Sequence, residues 1–337
     1  MTRESEARGS AMDVIRGLEA FPAHRTPVVL ALGTFDGVHR GHQALLAHAR
    51  ERARTLGGRS AALTFDPHPA TVLTPESAPA LLTTIDERLE LFAQLGVDVA
   101  IVARFDDRLR QMSAEAWVNA LAACIRMTEV VCGPSYAFGH DRRGDSDLLR
   151  RLGARLGFQL RVVDPVEADG ERVSSSRIRR LLLAGHALDA ARLLGRWYSL
   201  RGTVVRGEGR GRDLGYPTAN LELPPSKLIP STGIYAAYAR PSVGEFAAAV
   251  SIGTRPTFGP GPLKVEAYLL NFSENLYGSP LELHLAAQLR DELTFASAEE
   301  LVVQIASDVA AVPRALVEAT ARAGLGEPML GRNRTMD

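Results

Sequence analysis

His39 and His42 stand three residues apart in the segment GTFDGVHRGH, Gly33 to His42, directly behind the apolar run VVLAL (Val28 to Leu32). Imidazoles in such a place can donate hydrogen bonds to phosphoryl oxygens and stabilise charge developing on a departing pyrophosphate. Gly33 and Gly37 let backbone approach a ligand closely. A helix starting near His42 would offer unpaired N–H groups and a positive dipole end to phosphate. From the residues alone two other readings stay open: surface histidines without a ligand, and a metal site, although no HExxH, clustered cysteines or nearby carboxylates complete one. A dinucleotide fingerprint G-x-G-x-x-G is absent. A Walker A loop is excluded, because neither Lys227 nor Lys264 follows a glycine as that motif demands.

Three further stretches carry chemistry. In VSSSRIR, Ser174 to Ser176 suit a helix N-terminus and Arg177 follows. In GEGRGRDLGYPTAN (Gly207 to Asn220), Gly207, Gly209, Gly211 and Gly215 make a backbone-rich loop suited to phosphates, and Arg210 and Arg212 add charge. Pro217 then fixes the chain before Thr218 and Asn220, whose side-chain oxygens could face one hard cation; Mg²⁺ needs only a few protein ligands beside substrate phosphates. A plain Gly-rich hairpin connection also explains the glycines. In VEAYLLNF, Glu266 sits among apolar neighbours, either as a structural acceptor or as a base for phosphoryl transfer to an alcohol.

The elements that must position these residues follow from periodicity. VVLAL, SAALTF, VAIVARF, EVVCG and QLRVVD read as short buried strands. Helices alternate with them: His42 to Leu56, a segment with a capping box at Thr84 and Glu87 ending at Gly96, and SAEAWVNALAAC. Strand alternating with helix predicts a doubly wound, Rossmann-like α/β domain, a parallel sheet with helices on both faces, running to about Gly185. The first strand-to-helix turn of such a sheet is the favoured ligand site, and GTFDGVHRGH occupies it. The second half turns to strand-like runs between Gly- and Pro-rich turns: YSLRGTVVRG, GIYAAYAR, FAAAVSIG, VEAYLLNF and LELHLAAQLR. They predict a small antiparallel β-barrel, closed by a C-terminal helix from Ser297, whose capping box uses Glu300. After Pro313 a second short helical pattern precedes a loose tail, GLGEPMLGRNRTMD. The expected division is 1–186, 187–315, and a loosely ordered tail at 316–337.

A chain of 337 residues fits two domains. Lys+Arg and Asp+Glu both total 39, so nothing in the charge recruits nucleic acid or an anionic membrane. Cys124 and Cys132 form neither a metal spacing nor a disulfide scaffold. The N-terminal MTRESEARGS lacks an apolar signal region and no apolar run approaches bilayer length, so a cytoplasmic protein is expected. Assembly into a homo-oligomer stays open.

G-x-F-D-x-x-H-x-G-H behind the first strand resembles the signature of nucleotidyltransferases, and VSSSRIR resembles their serine-rich step. Over nearly its whole length, from about Val28 to Asp308, the chain resembles the bacterial bifunctional riboflavin kinase/FAD synthetase family. GTFDGVHRGH, TFDPHP and VSSSRIR are similar to the adenylyltransferase half; GRDLGYPTAN, SIGTRPTF, VEAYLLNF, LYG and LRDELTF are similar to the kinase half. The resemblance implies phosphorylation of riboflavin by Mg-ATP in the barrel, then adenylylation of FMN by ATP to FAD in the N-terminal domain, with pyrophosphate released. It places Thr218 and Asn220 on metal and phosphates, Glu266 as base, and Gly209, Gly211, Arg212 and Gly215 on ATP. In the other half it places His39, His42 and Arg177 on the triphosphate, with Gly33, Phe35, Asp36, Gly41, Ser175 and Ser176 at the nucleotide. Arg290 is expected near the flavin. One departure stands out: where the family carries G-x-D-F-x-F-G, this chain reads GPSYAFG, with Ser135 for the aspartate and Tyr136 for a phenylalanine. This leaves as alternatives a kinase with an impaired adenylyltransferase and a non-catalytic flavin or nucleotide binder.

Overall fold

Strand β2 (Val28–Leu32) is buried at every position, as its uninterrupted apolar run requires. Alternate residues serve opposite faces: Val28, Leu30 and Leu32 join one core, Val29 and Ala31 the other. The computed structural model describes residues 12–17, 26–207, 209–254 and 263–325. Three parts of the sequence reading lie outside these: the N-terminal MTRESEARGS, the RPTF of SIGTRPTF, and the tail from Gly326 onward. By contacts the chain forms two compact units that divide between Val173 and Ser174.

The first unit holds β1 (Asp13–Arg16), β2, α1 (Arg40–Thr55), β3 (Arg59–Asp66), α2 (Pro69–Leu73), α3 (Ile85–Gln94), β4 (Val99–Arg104) and α4 (Asp107–Gln111). It continues with α5 (Ala114–Cys124), β5 (Met127–Cys132), α6 (Ser146–Leu156), β6 (Gln159–Val162) and the small hairpin β7 (Glu167–Ala168) and β8 (Glu171–Arg172). Six strands make one parallel sheet in the order β1-β4-β3-β2-β5-β6. Helices α1 and α3 cover one face through Leu45, Leu46, Ala49 and Phe92; α5 and α6 cover the other through Trp117, Leu121, Leu149 and Leu152. The doubly wound reading holds. Of the six-stranded sheet it omits only β1, a four-residue edge strand with little buried surface to betray it, and it also leaves out α6, the short α2 and α4 and the β7–β8 hairpin.

The second unit holds α7 (Ser175–Leu183), α8 (Ala187–Leu194), β9 (Tyr198–Val205), α9 (Arg210–Asp213), β10 (Ala219–Glu222) and β11 (Gly233–Arg240), then β12 (Phe246–Gly253), β13 (Lys264–Leu269), β14 (Pro280–Arg290) and α10 (Ala298–Ala323). The strands close a barrel in the order β10-β13-β12-β11-β14-β9, every pair antiparallel. The sequence reading lists five of these strands and takes β10 for loop, because only four residues of it pair. It also counts α7 with the first domain. The structure groups α7 with the barrel, where the Ser231 N–H donates to Leu182 O at 3.1 Å at the helix's C-terminal end.

The expected break at Pro313 is corrected: α10 runs through it to Ala323, so 316–323 is helix and not tail. Proline removes one backbone donor, but Val312, Leu316, Ala319 and Ala323 form an apolar stripe packed on Trp197, Ala236 and Ala286. Tertiary burial decides the helix, and Tyr238 Oη and Thr320 Oγ1 add a hydrogen bond of 2.9 Å. Leu316→Ala is therefore expected to lower unfolding free energy by about 2–4 kcal/mol in a denaturant titration.

On β14, Glu282 lies 3.5 Å from His284 Nε2 and 3.6 Å from an Arg201 guanidinium nitrogen. Burial alone would raise its pKa, but these partners bring it down from the ordinary 4.5 to about 2. A depressed carboxylate contributes stability that is complete above pH 4.5 and is lost as pH falls toward 2. Acid unfolding followed by circular dichroism is expected to be shallower across that window in Glu282→Gln than in the native chain.

Candidate functional sites

In the first unit the chain steps from β2 to β3 and β4 on one side, and later to β5 and β6 on the other. The strand order therefore switches between β2 and β5, where a crevice opens at the carboxyl ends of the strands. The turn from Gly33 to His39 stands there. Its backbone is strained: φ is +54° at Phe35, +82° at Gly37 and +39° at Val38. Glycine accepts this freely, whereas each of the other two costs about 1–3 kcal/mol and persists only where the surroundings fix it.

Asp36 supplies much of that fixing. Its carboxylate, 1% exposed, accepts from the N–H groups of Leu82 (3.1 Å) and Thr83 (3.0 Å) and from the Thr83 hydroxyl (3.1 Å). The Gly37 N–H donates to the same hydroxyl at 2.9 Å. The resemblance expects Asp36 and Phe35 at the nucleotide; the structure buries both, and they act on the turn from beneath. The Phe35 ring is fully buried, edge-on to His42 at 5.2 Å and to Phe92 at 5.3 Å. A Cβ on Gly33 would meet that ring at 3.2 Å.

The turn delivers the two imidazoles together. His39 is the N-cap of α1, and its Nδ1 accepts from the His42 N–H at 3.3 Å. That bond leaves the ring proton of neutral His39 on Nε2. The two rings stack at 3.7 Å, 16° from parallel. Gly41 admits this arrangement, since a Cβ there would sit 3.1 Å from His39 Cε1. The first turn of α1 contains no acidic residue, which keeps its positive end available to an anion.

Ser174 caps α7 and accepts from the Arg177 N–H at 3.3 Å, with Ser175, Ser176 and Arg177 forming the first turn. Behind β5, Ser135 takes a 2.6 Å hydrogen bond from Arg172 Nη1. The Tyr136 ring stacks on Phe138 with centroids 5.5 Å apart, so it packs as the phenylalanine of the family pattern would. Burial pushes the Tyr136 phenol far above its ordinary pKa.

In the barrel, β10 and β13 pair with Asn220 directly opposite Glu266. The Thr218 hydroxyl donates to Glu266 Oε2 at 3.3 Å. Thr218, Asn220 and Glu266 thus share one wall of a cavity of about 620 Å³ that Gly207, Gly209, Gly211 and Arg212 also line. A Cβ on Gly207 would strike the Asn220 amide at 2.4 Å, and one on Gly211 would strike Tyr216 O at 2.4 Å. Positive φ at Gly209 (+77°) and Gly215 (+85°) turns the loop over the cavity. Sequence reasoning did not single out Tyr277, which lines the cavity, receives a bond from Arg212 Nη2 at 3.3 Å and lies beneath the Arg206 guanidinium at 5.8 Å. The LYG segment was its only signal.

Oxygen donors and a glycine cradle fit a hard cation. Among the described residues no group of three His, Cys, Asp or Glu could hold a metal, so any cation here would depend on substrate phosphates. Arg290, expected near the flavin, has protein partners of its own. Its guanidinium grips Asp308 through bonds of 2.9, 3.1 and 2.7 Å, and Nη1 donates to Asp291 O at 2.8 Å. It ties the end of β14 to α10.

Two family models divide the chain as the two sites do: FAD synthetase matches residues 21–177 and riboflavin kinase matches residues 194–316. A Pseudomonas fluorescens bifunctional riboflavin kinase/FMN adenylyltransferase is 39% identical over 92% of this chain and 99% of its own length. Proteins of the same description from Listeria monocytogenes (37% identity, 83% of this chain, 90% of the relative) and Escherichia coli K12 (35%, 88% and 96%) match as well. The crystal structure of a Streptococcus pneumoniae protein described as a macrolide-efflux protein superposes with a TM-score of 0.82 at 27% identity, covering 90% of this chain and 99% of that one. A nucleotidyltransferase-like α/β unit followed by a flavokinase barrel defines a flavin-nucleotide transferase. The chain belongs to the bifunctional riboflavin kinase/FMN adenylyltransferase family, whose two domains convert riboflavin to FMN and FMN to FAD. Among the described residues no helix is long and apolar enough to cross a membrane.

The 2.4 Å approach at Gly207 gives a direct test of the barrel cavity. Gly207→Ala displaces the Asn220 amide and is expected to raise the KM for ATP in riboflavin phosphorylation at least tenfold, read from initial rates of FMN formation.

Proposed function

We propose that the barrel cavity phosphorylates riboflavin with Glu266 as general base, and that the β2–α1 turn adenylylates FMN with His39 and His42 on the triphosphate. The observation that carries the first role is the Thr218–Glu266–Asn220 cluster on one cavity wall. Glu266 takes the proton of the ribityl primary hydroxyl as its oxygen bonds to the γ-phosphorus of ATP; the bond from that phosphorus to the bridging oxygen breaks and ADP leaves. Thr218 and Asn220 present oxygens to Mg²⁺ and the phosphates, and Gly209, Gly211, Gly215 and Arg212 wrap the nucleotide. Mg²⁺ supplies charge neutralisation for those phosphates when bound.

For the second reaction an FMN phosphate oxygen bonds to the α-phosphorus of ATP and pyrophosphate leaves. That nucleophile is already ionised, so positioning and charge stabilisation suffice. His39 Nε2–H, His42 and the Gly41 N–H serve the departing pyrophosphate. The roles of Ser175, Ser176 and Arg177 on the triphosphate are carried over from the family resemblance alone. Gly33 keeps the turn close to the nucleotide, while Asp36 and Phe35 hold it from below. Arg290, which also secures α10, is assigned to the flavin. With 39 basic and 39 acidic residues the chain has no electrostatic claim on nucleic acid, and we assign it to the cytoplasm.

The purified chain incubated with riboflavin, ATP and Mg²⁺ is expected to yield FMN and then FAD, resolved by chromatography. Glu266→Gln is expected to cut FMN formation by about 10²-fold or more while FAD formation from supplied FMN continues. Loss of both reactions would count against separate sites, and FMN accumulating without FAD in the native chain would refute the adenylylation role.

A further inference from the structure

Arg88 is among the largest fully buried side chains of the molecule, and neither reaction uses it. It rises from α3 beneath the β2–α1 turn. Its Nη1 donates to Thr64 Oγ1 at 2.8 Å and Phe65 O at 3.4 Å, and its Nη2 donates to Thr83 O at 3.4 Å. The same nitrogen lies 3.8 Å from Asp36 Oδ1. Thr64 and Thr83 lead back to the turn: the Thr64 hydroxyl donates to Thr34 O at 2.8 Å, and the Thr83 hydroxyl joins Asp36 and the Gly37 N–H. Thr34, Asp36 and Gly37 are therefore all tied to one hub, and the strained Phe35 and Val38 alternate with them. At 1% exposure Arg88 is out of a ligand's reach, so whatever it does is done through the turn.

The residue type matters. A planar fork spans Thr64 on one side and Thr83 on the other, which a single ammonium cannot do. Burial works against its charge, and the nearby carboxylates of Asp36, Asp66 and Glu87 work for it. A buried cation without a ligand needs a reason, and here the geometry supplies one.

We infer that Arg88 is a positioning residue for nucleotidyl transfer, holding through Thr64, Thr83 and Asp36 the strained turn that stacks and aims His39 and His42. This rests on the adenylylation role proposed for that turn. It sets Arg88 apart from a residue that merely stabilises the domain, because a lost hub frees the turn even when the remaining buried charge is also removed.

The test uses the full chain with Arg88→Met, Arg88→Lys and the double variant Asp36→Asn/Arg88→Met. FAD formation from FMN and ATP, FMN formation from riboflavin and thermal melting are measured for each. In Arg88→Met adenylylation is expected to fall at least tenfold in kcat, with a raised KM for ATP, while riboflavin phosphorylation stays within twofold of the native chain. Arg88→Lys restores part of the adenylylation. The double variant recovers melting temperature by shedding the carboxylate charge that Arg88 no longer balances, yet its adenylylation stays low. Recovery of both, or an equal loss of the two activities in Arg88→Met, would overturn the inference. Imidazole resonances of His39 and His42, whose stacking shifts each other's signals, provide a readout free of chemistry: they move in Arg88→Met if Arg88 holds the rings. Unmoved resonances would overturn it as well. If the native chain forms no FAD, the adenylylation role falls, and the resonances still decide whether Arg88 sets the turn.

Discussion

The first site rests on one buried carboxylate. Asp36 accepts three hydrogen bonds from Leu82 and Thr83, and those bonds hold a turn that would otherwise relax. Two non-glycine residues at positive φ store strain there, of the order of 1–3 kcal/mol each, and each acceptor bond to an ionised carboxylate offsets about as much. With the turn fixed, His39 falls at the N-cap of α1 and His42 one turn behind it, so their stacking is a consequence of backbone placement. Sheet, turn and helix form one construction. The fully buried β2 sets the height of the turn, Phe92 of α3 supports Phe35, and Phe35 supports His42.

The barrel reaches its goal with ladder register instead of strain. Pairing of β10 with β13 sets Asn220 opposite Glu266, and Thr218 reaches the same carboxylate from just before the strand. Glycines are needed where side chains would collide with this cluster: a Cβ at Gly211 would strike backbone, and one at Gly207 would push the Asn220 amide out of place. Loop conformation, glycine content and strand register thus depend on one another. The cavity that Thr218, Asn220 and Glu266 line is also lined by Leu269, Phe272 and Tyr277, so polar groups and apolar or aromatic surface meet in one place.

Much of this was legible in the sequence because periodicity and motif agreed. VVLAL could only be a strand buried on both faces, and the turn behind it then had to lie at the ligand end of the sheet. Residues whose role depends on three-dimensional neighbours were not legible. Arg88 reads as one more charged residue on an amphipathic helix; only the fold brings Thr64 and Thr83 to its guanidinium. Asp36 carries the motif's charge, yet its partners lie 46 and 47 residues away. The pairing of Arg290 with Asp308, 18 residues on, is likewise visible only in the fold. Strand β10 was hidden by its length, and the continuation of α10 past Pro313 by a proline whose local penalty the apolar stripe outweighs.

The two sites differ in the way the proposed chemistry requires. Transfer to an alcohol needs a group to receive a proton, and the barrel holds a carboxylate against a hydroxyl inside a cavity. Transfer to a phosphate needs no base, and in the crevice the turn accordingly keeps its own carboxylate, Asp36, buried and away from any ligand. What remains at its mouth is neutral or cationic: a ring N–H on His39, a second imidazole, and a helix end without acidic residues. A carboxylate left exposed beside the triphosphate would repel it, so burying Asp36 both braces the turn and clears the field in front of it. One residue thereby meets a structural and an electrostatic demand, and for that reason its burial tells more about the chemistry than its place in the motif does.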